Sequence, residues 1–181
     1  LAISLMVCIT FGESSDAVSK PSTRGLPLGS EAPQFTLKTL NPKLSKHRMF
    51  SSRKWFGPKR EVSSKGLALT FGASYCEPCK RELSVLAKKS KDIRQAGYFL
   101  TAVIIDREKE GIEEMRKLLV EKLGFNFPAL SDRFGILARR YKAETLPMMI
   151  VVGPEGKIIW SHAGYEKSAL TQFLKKMGTK P

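Results

Sequence analysis

A strand-like apolar run ends in two cysteines three residues apart, and a helical pattern begins at once: Phe71-Gly72-Ala73-Ser74-Tyr75-Cys76-Glu77-Pro78-Cys79-Lys80. Leu67 to Phe71 reads as a short buried strand. Leu83, Leu86 and Ala87 then recur at helical spacing over 77–96, with Gly97 as the stop. The thiol pair therefore stands where a strand hands over to a helix N-terminus. Unpaired backbone N–H groups and the positive end of the helix dipole stabilise a thiolate there. A cysteine at the cap can attack a disulfide, and a second cysteine one turn on can resolve the mixed disulfide. At i and i+3 the two sulfurs can come within disulfide distance. Pro78 falls in the first turn, where its missing N–H costs nothing. By position Cys76 is the exposed cap and the expected nucleophile, and Cys79 is the more shielded, resolving thiol.

Two carboxylates flank the pair. Glu82 lies three residues past Cys79 on the same helix face. Half-buried beneath the cysteines, it would have a raised pKa and could exchange protons with them; the alternative is a solvated carboxylate beside Lys80 and Arg81. Glu77 sits between the cysteines, where its charge opposes the Cys76 thiolate. Stabilising that thiolate makes an oxidant, so acids near it shift the pair toward reductant. Zinc needs four ligands, and outside the pair only Cys8, His47 and His162 are on offer, none as a second ligand pair. Pro147, just before the apolar run Met148 to Val152, fits the first position of a strand. A cis bond there would turn the backbone and present Leu146 for strand-like pairing with a substrate.

With 181 residues the chain is long enough for one domain with a sizeable core, and its three cysteines form no disulfide framework. Net charge is +14, but nine basic residues and one acid fall between Lys38 and Lys65. One segment is basic, not the whole fold, which argues against a nucleic-acid platform. That segment, 41–65, carries Met49-Phe50 and Trp55-Phe56, so its aromatics are expected to dock it on the domain. Residues 1–17 hold an apolar run and then small residues, the pattern of a secretory signal, too short to span a bilayer. Lipidation at Cys8 is disfavoured by bulky Val7, and a buried N-terminal segment is the bland alternative. Residues 18–28 read as a linker. Further elements are a strand at Phe35–Leu37, a strand over Tyr98–Ile105, helices over Gly111–Leu123 and Phe134–Tyr141, a hairpin of Met148–Val152 with Ile158–Trp160, and a closing helix over Ser168–Met177. Strands separated by helices imply an α/β fold: a central mixed sheet covered on both faces, with an antiparallel hairpin late in the chain.

Taken in order, Gly29 to Leu37, Phe71 to Glu82, Asn126-Phe127-Pro128, Tyr141 with Thr145-Leu146-Pro147, and Gly153 to Lys157 resemble the thioredoxin-like TlpA/ResA family of thiol–disulfide oxidoreductases. The resemblance runs over most of residues 29–179. It implies a thioredoxin-like fold with an N-terminal extension strand and an extracytoplasmic redox protein. Several such proteins reduce apocytochrome c before haem attachment. It also implies Cys76 as attacking thiol, Cys79 as resolving thiol, Glu82 as the active-site acid and Pro147 as a cis-proline beside a substrate ledge at Leu146. The family's usual Trp before the first Cys is here Tyr75, which keeps an aromatic lid. Met148-Met149 gives a softer rim, and the basic insertion 41–65 is longer than the family's usual linker.

The expected partners are a client protein disulfide and a membrane or periplasmic electron donor. An acidic partner or an anionic membrane surface is the candidate for 41–65. No cofactor beyond the redox-active Cys76–Cys79 pair, no metal and no nucleic acid are expected. Two competing readings remain. A copper-binding chaperone of the same fold would use the cysteines with His162, but such proteins have three residues between the cysteines. A thiol peroxidase needs Thr or Ser three residues before the Cys and a Pro upstream, which Gly72 and Ala73 do not supply.

Overall fold

The computed structural model describes residues 25–42 and 48–178, so the readings for residues 1–17, for Cys8 and for His47 lie outside the described residues. The chain forms a seven-stranded mixed sheet in the order β2-β1-β5-β4-β3-β6-β7. Its strands are β1 Thr36–Thr39, β2 Met49–Ser51, β3 Gly66–Gly72, β4 Tyr98–Ile104, β5 Ala129–Ser131, β6 Met148–Val152 and β7 Ile158–Ala163. The helices are α1 Glu77–Lys88, α2 Ser90–Gln95, α3 Lys109–Lys117, α4 Ile136–Arg140 and α5 Lys167–Lys176. β3, β4 and β5 run parallel, and β6 joins β3 antiparallel. A parallel neighbour requires a crossover, supplied by α1 and α2 between β3 and β4. No helix among the described residues is long and apolar enough to cross a membrane.

Alternation along the central strands builds two cores, because successive side chains point to opposite faces. Ala68, Leu100, Ala102, Ile104, Met149 and Val151 face α1, α3 and α5, with Leu83, Leu86, Met115 and Phe173 packed on them. Leu67, Leu69, Phe71, Val103, Met148 and Ile150 face the other way. There α4 is short, and much of the cover is aromatic: Phe35, Phe50, Phe56 and Tyr141.

The basic insertion is thus part of the domain. β2 pairs antiparallel with β1, in a register that sets Leu37 opposite Phe50. Trp55 stacks on Phe99 of β4 with ring centroids 3.6 Å apart. Ser52, fully buried, accepts from the Phe35 backbone N–H at 2.9 Å and donates to Gln34 Oε1 at 2.7 Å. The docking aromatics are as expected, while Arg53, Lys54, Lys59 and Arg60 stay exposed.

Several boundaries differ from the sequence reading. The single helix expected over 77–96 breaks at Lys89, whose ψ of 3° leaves the helical range, although buried positions continue to Ile93. Gly97 then ends α2 at φ 90°, a conformation glycine adopts without strain. α3 begins two residues before Gly111 and passes into a wider turn, Leu118–Lys122. β7 runs on to Ala163, and α4 is shorter than expected at Ile136–Arg140. The strands β2 and β5 have only three residues each and were not expected.

Because Trp55 carries the insertion onto the sheet, Trp55→Ala should lower the unfolding free energy by about 2–3 kcal/mol. Exposed Arg53→Ala in the same segment should change it by less than about 0.5 kcal/mol. Urea denaturation of both variants measures the contrast, and equal effects would mean the aromatic stack is not what holds the segment.

Candidate active site

The end of β3 and the start of α1 are pressed together. A Cβ placed on Gly72 would lie 3.1 Å from Cys79 Cβ and 3.6 Å from its Sγ. Two residues earlier on the same face of β3, Thr70 Oγ1 donates to Glu82 Oε1 at 2.7 Å. Cys79 and Glu82, one helical turn apart, are thus seated on Gly72 and Thr70.

Cys76 is the N-cap of α1 and is joined to Cys79 by a disulfide. The Cys79 backbone N–H points at Cys76 Sγ, 3.2 Å away, so a helix donor already faces the sulfur that would carry charge after reduction. The cap is less open than the sequence suggested: Cys76 is 8% exposed and Cys79 1%. Their order is nevertheless as expected, with Cys76 the more accessible. Pro78 lies in the first turn of α1.

Glu82 is only 4% exposed, well beyond half-buried. Burial lifts its carboxyl from 4.5 to about 7, and the Thr70 hydrogen bond opposes part of the lift. A solvated carboxylate beside Lys80 and Arg81 is therefore not what forms. Lys80 instead turns to Glu77 at 2.8 Å and to Glu114 of α3 at 2.9 Å. The hydrogen bond and charge of Lys80 hold the Glu77 carboxyl below its usual range. This narrows the reading of Glu77: it is ionised and exposed, and Lys80, shared with Glu114, offsets part of its opposition to a thiolate on Cys76. Tyr75 is also corrected. At 73% exposed it stands out in solvent and does not close over the disulfide as a lid.

The Leu146–Pro147 peptide is cis. Phe71 pairs with Met148 in the antiparallel register, and the same register continued one step sets buried Pro147 level with Gly72, the residue on which Cys79 is seated. The Pro147 carbonyl accepts from the Gly164 N–H, whereas Leu146 is only half-buried at the rim. His162 lies on β7 opposite Met149, and its ring stacks on Trp160. Among the described residues no three His, Cys, Asp or Glu side chains gather as a metal site.

Asp106 was missed by sequence reasoning. It is buried, accepting from the Ser74 backbone N–H at 2.9 Å and from Ser74 Oγ at 2.6 Å. It thereby fixes the loop two residues ahead of Cys76 to the end of β4. An acid directly after the apolar run 98–105 was the available signal.

Burial of Glu82 makes stability depend on pH. Between about 4.5 and 7 the folded chain holds a proton that the unfolded chain has released. Stability is therefore full below that window, falls as pH rises through it, and keeps falling until the folded carboxyl has itself ionised. Glu82→Gln keeps an acceptor for Thr70 and should abolish the slope, leaving the variant roughly 2–3 kcal/mol more stable at about pH 8. Urea midpoints across the pH range test this; an unchanged slope would place the titrating group elsewhere.

Comparison with known proteins agrees with this architecture. The AhpC/TSA family matches residues 28–161. The thiol–disulfide oxidoreductase ResA of Bacillus subtilis is 30% identical over 131 residues, covering 72% of this chain and 64% of that protein. ResA of Oceanobacillus iheyensis is 25% identical over 131 residues, 72% of this chain and 62% of its own length. The chain thus spans slightly less than two thirds of these relatives. A putative thiol:disulfide interchange protein DsbE from Chlorobium tepidum shares the thioredoxin-like fold, with a TM-score of 0.67 at 21% identity over 84% of this chain and 95% of that one.

Proposed function

The chain belongs to the AhpC/TSA family, on its TlpA/ResA-like, thioredoxin-fold side, and from that premise we propose that it is a thiol–disulfide oxidoreductase that reduces protein disulfides. The observation that carries this reading is the Cys76–Cys79 pair at the cap of α1, with a protonatable carboxyl, Glu82, buried one turn below.

In the reduced protein the Cys76 thiolate attacks one sulfur of a client disulfide. A mixed disulfide forms and the client's other sulfur leaves as a thiolate, which takes a proton. Glu82, with a pKa of about 7, takes the Cys79 proton near neutral pH. The Cys79 thiolate then attacks Cys76 Sγ, closing the Cys76–Cys79 disulfide and expelling the client's second sulfur as a thiolate, which takes a proton from water or Glu82 to leave the client a dithiol. Two electrons pass to the client, and a membrane or periplasmic dithiol donor returns them. Leu146 and Pro147 are assigned to the substrate side because the β3–β6 register, continued past Phe71 and Met148, sets Pro147 level with Gly72, and the neighbouring Leu146 stays partly open.

A direction toward reduction rests mainly on Glu82, since Lys80 offsets part of the charge on Glu77. The apolar run in 1–17 supports an extracytoplasmic setting, and the family resemblance supports a client such as apocytochrome c. Cys76→Ser should reduce insulin disulfides at background rate, a loss of at least about 100-fold. Cys79→Ser should accumulate a client in mixed disulfide with Cys76. Retained turnover in Cys76→Ser would sink the proposal, and the trapped partner identifies the client.

A further inference from the structure

A second recess lies on the β1 side of the sheet. It encloses about 1010 Å³ between β1, the 131–140 segment and one face of α3. Residues 109, 112, 113 and 116 supply the helix wall, at the spacing of a single face. Six basic side chains line it: Lys38, Arg48, Lys109, Arg116, Arg133 and Arg140. Two acids do so as well, and both are occupied. Glu113 is bonded to Arg116 at 2.7 and 2.8 Å, and Asp132 turns inward to the Leu137 and Ala138 N–H groups at 3.2 and 2.8 Å. Arg116 also pairs with Glu121, while Arg133 and Arg140 donate to the Arg107 and Gln34 carbonyls, which orient them without neutralising them. Lys38, Arg48 and Lys109 are exposed and have no acidic partner among the described residues.

The same recess presents apolar surface. Phe134 is 70% exposed, Ile136 is also exposed, and both line it. Large apolar groups left in water amid unpaired cations mark an interaction surface rather than a solvated face. Arg133 links the recess to the loop that precedes the cysteines. The Arg133–Arg107 hydrogen bond joins the recess to a neighbouring cleft of about 560 Å³, lined by Ser74, Tyr75, Arg107 and Gly135.

We propose that this basic, apolar-floored groove docks an acidic, aliphatic segment of a protein partner that exchanges electrons with Cys76–Cys79. This rests on the redox reading for the partner's role, though not for the groove itself. Charge complementarity selects an acidic occupant, and the concave shape with apolar floor selects a peptide over the flat headgroup plane of a membrane.

Binding is tested without redox chemistry, using a fluorescent cysteine-free peptide of alternating Glu and Leu and a matched Lys and Leu peptide. The folded protein should bind the acidic peptide at least about tenfold tighter, with affinity falling as salt rises. Lys38→Glu/Lys109→Glu should remove that preference. Equal binding of the two peptides, or an unaffected double variant, would overturn the proposal. So would binding only to vesicles rich in anionic lipid, or a dimer abolished by the double variant. A second arm attaches the acidic flank to a disulfide-bonded peptide. Its reduction should slow about tenfold in the double variant, while reduction of neutral hydroxyethyl disulfide stays unchanged. If neither disulfide is reduced but the acidic peptide still binds selectively, the redox reading fails and the groove stands.

Discussion

The seating of the first two turns of α1 on the end of β3 is the constraint on which the rest depends. At Gly72 a side chain would crowd Cys79, and at Thr70 the hydroxyl satisfies Glu82. Glycine weakens a strand interior, and a hydroxyl buried in a β-core is costly unless it finds a partner. Both choices make sense as the floor beneath a disulfide and a buried carboxyl. Close contact shields Cys79, leaves Cys76 as the more accessible sulfur, and excludes the water that would keep Glu82 in its ordinary carboxylate range.

Around that contact, the chain fixes the loop between strand and helix from outside. Asp106, at the end of β4, holds both the N–H and the hydroxyl of Ser74, and Lys80 ties α1 to Glu114 of α3. The redox loop is therefore held by β4 and α3 as well as by its own helix cap. Positioning of this kind sets which sulfur faces outward, because a loop held on two sides cannot swing the cap residue away from the helix N-terminus.

How much of this was legible follows from the range of each interaction. The pair at Cys76 and Cys79, the apolar strands β3, β4 and β6, and the role of Gly97 lie in local patterns a sequence displays. β2 and β5 do not, since three residues carry no periodicity and these strands are defined by their partners, β1 for β2 and both β1 and β4 for β5. The ion pair of Glu77 was half visible, in Lys80 three residues on. Glu114, the second anchor of Lys80, lies on a separate helix and reaches it only through tertiary packing. Asp106 and Ser74 are likewise joined across 32 residues. The basic insertion follows the same rule. Its charges were obvious, but its aromatic side chains decide its place, completing the thinly covered face of the sheet while the charges remain outside.

The charge balance at the site then has a direction. In the disulfide form no sulfur is charged, and a neutral Glu82 sits in its apolar seat without needing a counter-ion. Once reduced, a thiolate on Cys76 brings negative charge to the cap, where the Cys79 N–H and the helix dipole face it. Glu82, whose raised pKa reflects burial with no cation offsetting it, cannot ionise beside that thiolate without cost. In the proposed exchange, a neutral Glu82 spares the attacking thiolate a neighbouring negative charge, and an ionised Glu82 accepts the Cys79 proton once the mixed disulfide has taken the charge off Cys76. The carboxyl can lie there without a counter-ion because β3 offers a glycine and a threonine where a buried strand would ordinarily carry larger apolar side chains.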